Sequence, residues 1–217
     1  MVTSFNTVAN FQNALIRKGL VGAVLVADYA TAALTDIAST GGALTIATGY
    51  NSLGKLSSDG VSVSSTAETS EVRGWGDITS PSRIDVTGGA NSMTLTAIET
   101  KKAVWDAFHG VDLTSVTANT NGTVTFDKPA VPVLRDKRVL FLARDINKAT
   151  GLDVYYGVHF PRANISQNGD QSFAGGDSTI SYPLTINGLV DDVAGTAVRL
   201  FLGGPGVDTA MKTAMGF

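Results

Sequence analysis

Cysteine is absent from the 217 residues, and with it go disulfide frameworks, thiolate zinc sites and thiol nucleophiles. Charge is scarce too, at 16% Asp, Glu, Lys and Arg against about 25% in an ordinary soluble domain. Histidine occurs only at His109 and His159, so a metalloenzyme or a Ser-His-Asp enzyme has to use one of them. No H-E-x-x-H pair and no G-x-S-x-G elbow is present. Apolar runs stop well short of the roughly 18 residues that cross a bilayer, and the opening MVTSFNTVANFQNALIRKG lacks the parts of a secretory signal. A net charge of −3 with scattered Lys and Arg leaves no basic stripe to hold nucleic acid by counterion release. With 43% hydrophobic residues and few charges, the expectation is a cytosolically folded chain that buries apolar surface between subunits.

What is present suggests one domain over residues 1–217, mainly β with one firm helix, an α+β fold with an antiparallel sheet. Residues 1–22 read as an N-terminal arm, because Gly19 and Gly22 break any helix begun at Phe11. Residues 22–27, GAVLVA, read as a strand buried on both faces. Residues 28–50 mix helical spacing with Thr and Gly and are taken as a long loop.

Residues 52–110 hold both tryptophans and all three glutamates. Val61 and Val63 alternate with Ser62 and Ser64, the period of a half-buried strand, and residues 71–75 read as its return. A second hairpin is expected from residues 82–86 to 92–97 across Gly88-Gly89-Ala90-Asn91, residues suited to a tight turn. The period then becomes helical through Ile98, Val104, Trp105 and Phe108. Thr96 with Glu99 has capping-box spacing, His109 lies in the last turn and Gly110 is the stop.

Further strands are expected at residues 122–126, 138–145, 153–161, 179–187 and 196–202, with Pro183 marking an edge position or a bulge. Residues 163–178 are polar and Gly-rich and read as a surface loop. Residues 203–217 form a short tail in which Asp208 caps a helical turn.

The candidate chemistry is thin. Glu68 and Glu71 could be imagined as a glycosidase pair, but exposed turn carboxylates are the plainer account. Asp145-x-Asn147 opens like a calcium loop, yet Ala149 and Thr150 fall where an oxygen ligand and a glycine are needed. Gly74-x-Gly76 and Gly203-Gly204-x-Gly206 lack the strand and helix order of a nucleotide site. No catalytic residue, metal or cofactor is assigned. Trp105 is expected in the core and Trp75, between two glycines, in the core or at an interface.

In order and spacing, GAVLVA, SLGKLSSDGVSVS (52–64), EVRGWGD (71–77), the 83–85 strand, ETKKAVWDAFHG (99–110) and the closing GGPGVDTAMKTAMGF resemble the major tail protein, or tail tube protein, of long-tailed, non-contractile bacteriophages. The resemblance implies a β-sandwich or β-barrel with a flanking helix, assembled as hexameric rings stacked into a hollow tube. It also implies tape-measure, tail terminator and tail tip proteins as partners, with DNA crossing the lumen unbound and the protein residing in the virion tail. Inter-subunit contacts are then expected at Leu25, Tyr50, Trp75, Met211, Met215 and Phe217. A secreted or surface β-sandwich binding module shares the Ser/Thr/Gly-rich, low-charge composition and stands as the alternative, as does a secretion-system tube protein.

Overall fold

The structure is a computed structural model, and it describes residues 4–76, 78–131, 133–171, 173 and 179–217. A short helix α1 (Phe5–Ala9) and a 3-10 turn (Asn13–Leu15) precede strand β1 (Val21–Asp28). There follow β2 (Asn51–Ser52), β3 (Leu56–Val72), β4 (Arg83–Ala97), helix α2 (Lys102–His109), β5 (Lys137–Ile146), β6 (Asp153–Asn168), β7 (Tyr182–Leu189), β8 (Arg199–Gly203) and helix α3 (Thr209–Met215). All strand pairs are antiparallel, in the order β2-β1-β5-β6-β7-β4-β3, with β8 on the free side of the first half of β6. The mainly β architecture expected from the alternation is the one observed.

Two clusters hold this sheet. On one face α2 lays Val104, Ala107 and Phe108 against Val24, Val26, Met93, Leu95, Val139, Phe160, Tyr182, Leu184 and Ile186. On the other, residues 29–50 run as irregular chain and press Leu34 and Ile37 onto Leu140, beside Leu25, Tyr50, Leu142, Tyr155 and Phe201. Successive residues of β5 therefore enter different clusters, Val139 one and Leu140 the other, which is why VLFLA has no polar alternation.

The helices end where their chemistry directs. Gly110 adopts φ 66° as the left-handed cap of α2, a conformation that costs glycine little. Asp208 Oδ1 accepts from the Met211 amide at the start of α3. The capping box at Thr96 and Glu99 does not form. Helix α2 begins at Lys102, and Glu99 instead accepts from the Lys55 amide and pairs with Lys101 at 2.9 Å.

Several expected boundaries move. The two hairpins of residues 61–97 are one long hairpin: β3 runs on through residues 65–72, and the chain reverses between Val72 and Arg83. Gly88-Gly89-Ala90-Asn91 is strand interior, with a bulge at Thr87, since Glu68 pairs with Gly88 and Thr69 with Val86. Glycine is required there for closeness rather than for a turn, because a Cβ on Gly89 would lie 2.9 Å from the Thr66 carbonyl. Residues 122–126 form no strand, being held by a turn in which Asn119 and Thr123 bond to each other. Strand β6 continues to Asn168, so residues 163–168 are not loop. Pro183 pairs with Thr96 of β4 one residue beyond the last β6 pair, Asn168 with Leu184. Of the edge position or bulge expected there, the bulge is the one nearby, in β6 between Ile165 and Gln167, β7 being flanked by β4 and β6.

Gly89→Val is expected to part β3 from β4 at Thr66 without reaching the core. Hydrogen exchange should then speed the amides of residues 65–72 by about tenfold or more, while the thermal midpoint moves by less than about 2 °C.

Candidate functional site

Strand pairing decides which part of the surface is unfinished. β7 covers β4 only from Asn91 to Ala97, yet β3 and β4 stay paired out to Val72 and Arg83. Residues 65–72 and 83–90 therefore leave the sheet as a two-stranded arm. Paired residues share a face, so the apolar face of the sheet, carrying Met93 and Leu95, continues along the arm through Val63, Val86 and Ile84. Met93 is 0% exposed, but Val86 is 72% and Ile84 58% exposed.

The tip repeats the pattern. Trp75 and Ile78 are fully or almost fully exposed. The tip charges are spent on near neighbours, Arg73 with Glu71 and Arg83 with Asp85, both at 2.8 Å, and exposed pairs of this kind contribute at most about 1 kcal/mol. Glu68 and Glu71 fall on opposite faces of β3, so they form no catalytic carboxylate pair. Among the described residues no group of His, Asp and Glu is arranged to hold a metal ion, and no helix is long and apolar enough to cross a membrane.

A second exposed apolar group lies at the N-terminal end, where Phe5, Val8, Phe11 and Ile16 are all more than 70% exposed. Here the segment before β1 meets helix α3 and β5: Arg17 reaches the sulfur of Met211 at 3.1 Å and the Asp145 carboxylate at 3.7 Å. A cavity of about 550 Å³ opens beside them, lined by Ile16, Leu20, Ile146 and Ala149.

The residues expected at subunit contacts fall into three settings. Leu25 and Tyr50 come together beside Leu140 in the cluster under residues 29–50. Met211 is 7% exposed against Arg17, and Met215 is half-buried on the same helix. Trp75 and Phe217 stand out in solvent. Val63, Ile84, Val86, Ile78 and the N-terminal aromatics were not anticipated. A signal for the arm was present, since apolar residues are even-numbered at 84 and 86 and odd-numbered at 93 and 95, the parity change a bulge makes within one strand.

Neither histidine has a catalytic setting. His109 stacks among Trp105, Phe108 and Phe126 at the end of α2, and burial and Lys128 lower its pKa. His159 is fully buried, with Nε2 3.0 Å from the Tyr50 hydroxyl and Nδ1 without a hydrogen-bond partner. Burial, then the Arg138 and Arg199 guanidiniums, lower its pKa to about 4, against a smaller opposing pull from Asp191. It is neutral in the fold and titrates near 6.5 when unfolded. Its contribution is therefore complete above pH 6.5 and is lost as pH falls toward 4.

Between pH 7 and 4.5 this one group should remove roughly 2.5 kcal/mol of stability. His159→Phe is expected to flatten that part of the acid limb, measured as the difference between urea unfolding free energies of the two proteins at the two pH values. An unchanged slope would mean that His159 is not the titrating group.

Comparison with known proteins follows this geometry. A family model described as "Phage tail tube protein" matches residues 9–201. No curated protein matches the sequence. Among solved structures the chain is similar to the anti-feeding prophage cap (AFP tube terminating cap), at 14% identity over 82% of this chain and 87% of that one, with a TM-score of 0.37.

Proposed function

The chain belongs to the phage tail tube protein family, and we propose that its copies close into hexameric rings that stack as the hollow tube of a long, non-contractile tail. A tail tube protein is a structural component of the virion tail rather than an enzyme. In the proposed assembly a DNA genome passes down the bore, a tape-measure protein sets the length, and terminator and tip proteins close the ends.

The observation that carries this reading is the β3–β4 arm. A two-stranded ribbon is marginal by itself in water, and its outer edges are templates for another strand. One face of this ribbon also leaves Ala67, Ile84 and Val86 uncovered, beside Ser65, Thr69 and Glu71. Such an arm is completed by a second copy, whose surface buries Val86, Ile84 and Trp75. Phe217 and the N-terminal aromatics supply further contact between copies. Leu25, Tyr50, Met211 and Met215 act from behind, by fixing residues 29–50 and α3 in position.

Negative-stain microscopy of concentrated protein should show rings or tubes of uniform bore; a monomer at every concentration would sink the tube reading. Replacing residues 67–89 with an Asn-Gly turn between the paired Thr66 and Ala90 is expected to abolish stacking while shifting the thermal midpoint by only a few degrees. Tubes of normal length from this variant would remove the arm from the mechanism.

A further inference from the structure

The sheet has a face that neither cluster covers. Opposite the Met93–Leu95 side, strands β3, β4, β7 and the second half of β6 present Ser62, Ser64, Ser92, Thr94, Thr185 and Asn187 as mutually paired neighbours. Across residues 62–66, 92–96, 183–187 and 164–166 the side chains on this face include no Lys, Arg, Asp or Glu. Charges occur only at its margins. Asp59 and Glu68 lie along β3, Asp85 and Arg83 pair at 2.8 Å where the face runs out onto the arm, and Arg162, at the far end, is tied to Asp136 at 2.8 Å. Apart from Arg83 on the arm, exposed cations lie elsewhere, as at Lys101, Lys102, Arg144, Lys148 and Lys212.

We propose that this hydroxyl-and-amide face is the wall of the tube's bore, and that it passes a nucleic-acid duplex without gripping it. The assignment rests on the tube reading above and adds the side of the subunit that faces inward. A contact between copies would draw on apolar, aromatic or arginine anchors, and between its two margins this face offers no aromatic or arginine side chain and only Pro183 as an apolar one. An outer surface gains solubility from charge, which the chain places on its other sides.

A wall for a moving polyanion has a different requirement. Each Lys or Arg that meets a phosphate adds salt-dependent affinity through counterion release, and a ring repeats that cation in every copy. Ser, Thr and Asn hold water without supplying such a charge. Some of these groups also bond among themselves, as Asn187 does to Ser166 and Thr66 to the Ala90 carbonyl, so they are not aimed outward at a ligand.

A chain without cysteine lets one thiol report on this face. Thr94→Cys, with Thr185→Cys as a second variant should the first fail to assemble, is treated with maleimide either as a small dye or on a 20-kDa polyethylene glycol, a size chosen as about that of the subunit so that it stays out of the bore. In the free subunit both reagents should react. In assembled tubes the small dye is expected to react and the large one to be excluded by at least about tenfold. Reaction with both in tubes would place the face outside, and protection from both would place it in a subunit contact; either result overturns the proposal.

Charging the thiols of finished tubes with a small cationic disulfide reagent should make them retain a short DNA duplex at low salt and release it at high salt, whereas unmodified tubes retain none. Modified tubes that never retain the duplex would also overturn it. Failure of the unsubstituted protein to form tubes, read by microscopy on the same preparations, would instead count against the tube reading.

Discussion

The constraint on which the rest depends is that a sheet must have its apolar face and its edges covered, and this sheet runs out of cover along β3 and β4. Met93 and Val86 lie on the same face of one strand, yet one is 0% and the other 72% exposed. The difference is that α2 and β7 stop short of the arm. Fully burying a side chain such as Val or Ile contributes about 1.5–3 kcal/mol. In the proposed rings, a few such residues on each arm, repeated at every stacking step, would be ample to drive assembly against its entropic cost. The bulge at Thr87 and the close approach at Gly89 mark the register in which the ribbon pairs.

Inside the subunit, the few charges are used to hold irregular chain against the sheet. Arg138 and Asp191 are both buried and meet at 3.1 Å, while Arg138 Nε donates to the Tyr29 carbonyl. The Asp191 carboxyl is held below its usual range, first by the Ala194 amide that donates to it. Burial alone would lower the Lys137 ammonium, but Asp106 and Asp28 outweigh it and raise the pKa; their oxygens lie 2.8 and 2.6 Å away. A pair buried on both sides, as Arg138 and Asp191 are, gives little net stability against an apolar substitute, but removing one partner costs about 3–5 kcal/mol. Their effect is to fix where residues 28–31 and 191–196 leave the sheet, and so to set the surface that residues 29–50 lay over Leu140. The neutral His159 under Tyr50 belongs to the same arrangement.

Much of the fold was legible because local signals and tertiary demands agreed. GAVLVA, VLFLA and the alternation through Tyr182, Leu184 and Ile186 all lie in strands, and Gly110 and Gly216 stop their helices in the left-handed conformation. Legibility failed where glycine served packing instead of turning, at Gly88 and Gly89. It failed again where alternation had no sheet to join, as in Thr123-Val124-Thr125-Phe126, whose Phe126 ring packs on Trp105 while the backbone stays out of the ladder. Pro183 looked like an edge residue because its missing amide is costly inside a sheet; it lies near the start of β7, where a ladder is least complete. Trp75 stood out between its glycines, but the arm beneath it did not, since reading it required treating a change of parity between Val86 and Met93 as a bulge.

The same strands also explain the composition. A monomeric soluble domain spreads charge over every exposed face, and about a quarter of its residues carry it. Here β3 and β4 alternate between an apolar side and a Ser/Thr side over residues 61–66 and 91–97, which carry no charge, and the charges Glu68, Glu71, Arg83 and Asp85 lie out on the arm. The apolar side around Val61, Val63, Met93 and Leu95 needs a neighbour, and a charge there would have to be desolvated at a cost of several kcal/mol. On the hydroxyl side a cation would attract any polyanion that reached it. In the proposed tube, the absence of charge from residues 61–66 and 91–97 is therefore a consequence of a strand pair with a distinct duty on each of its two faces.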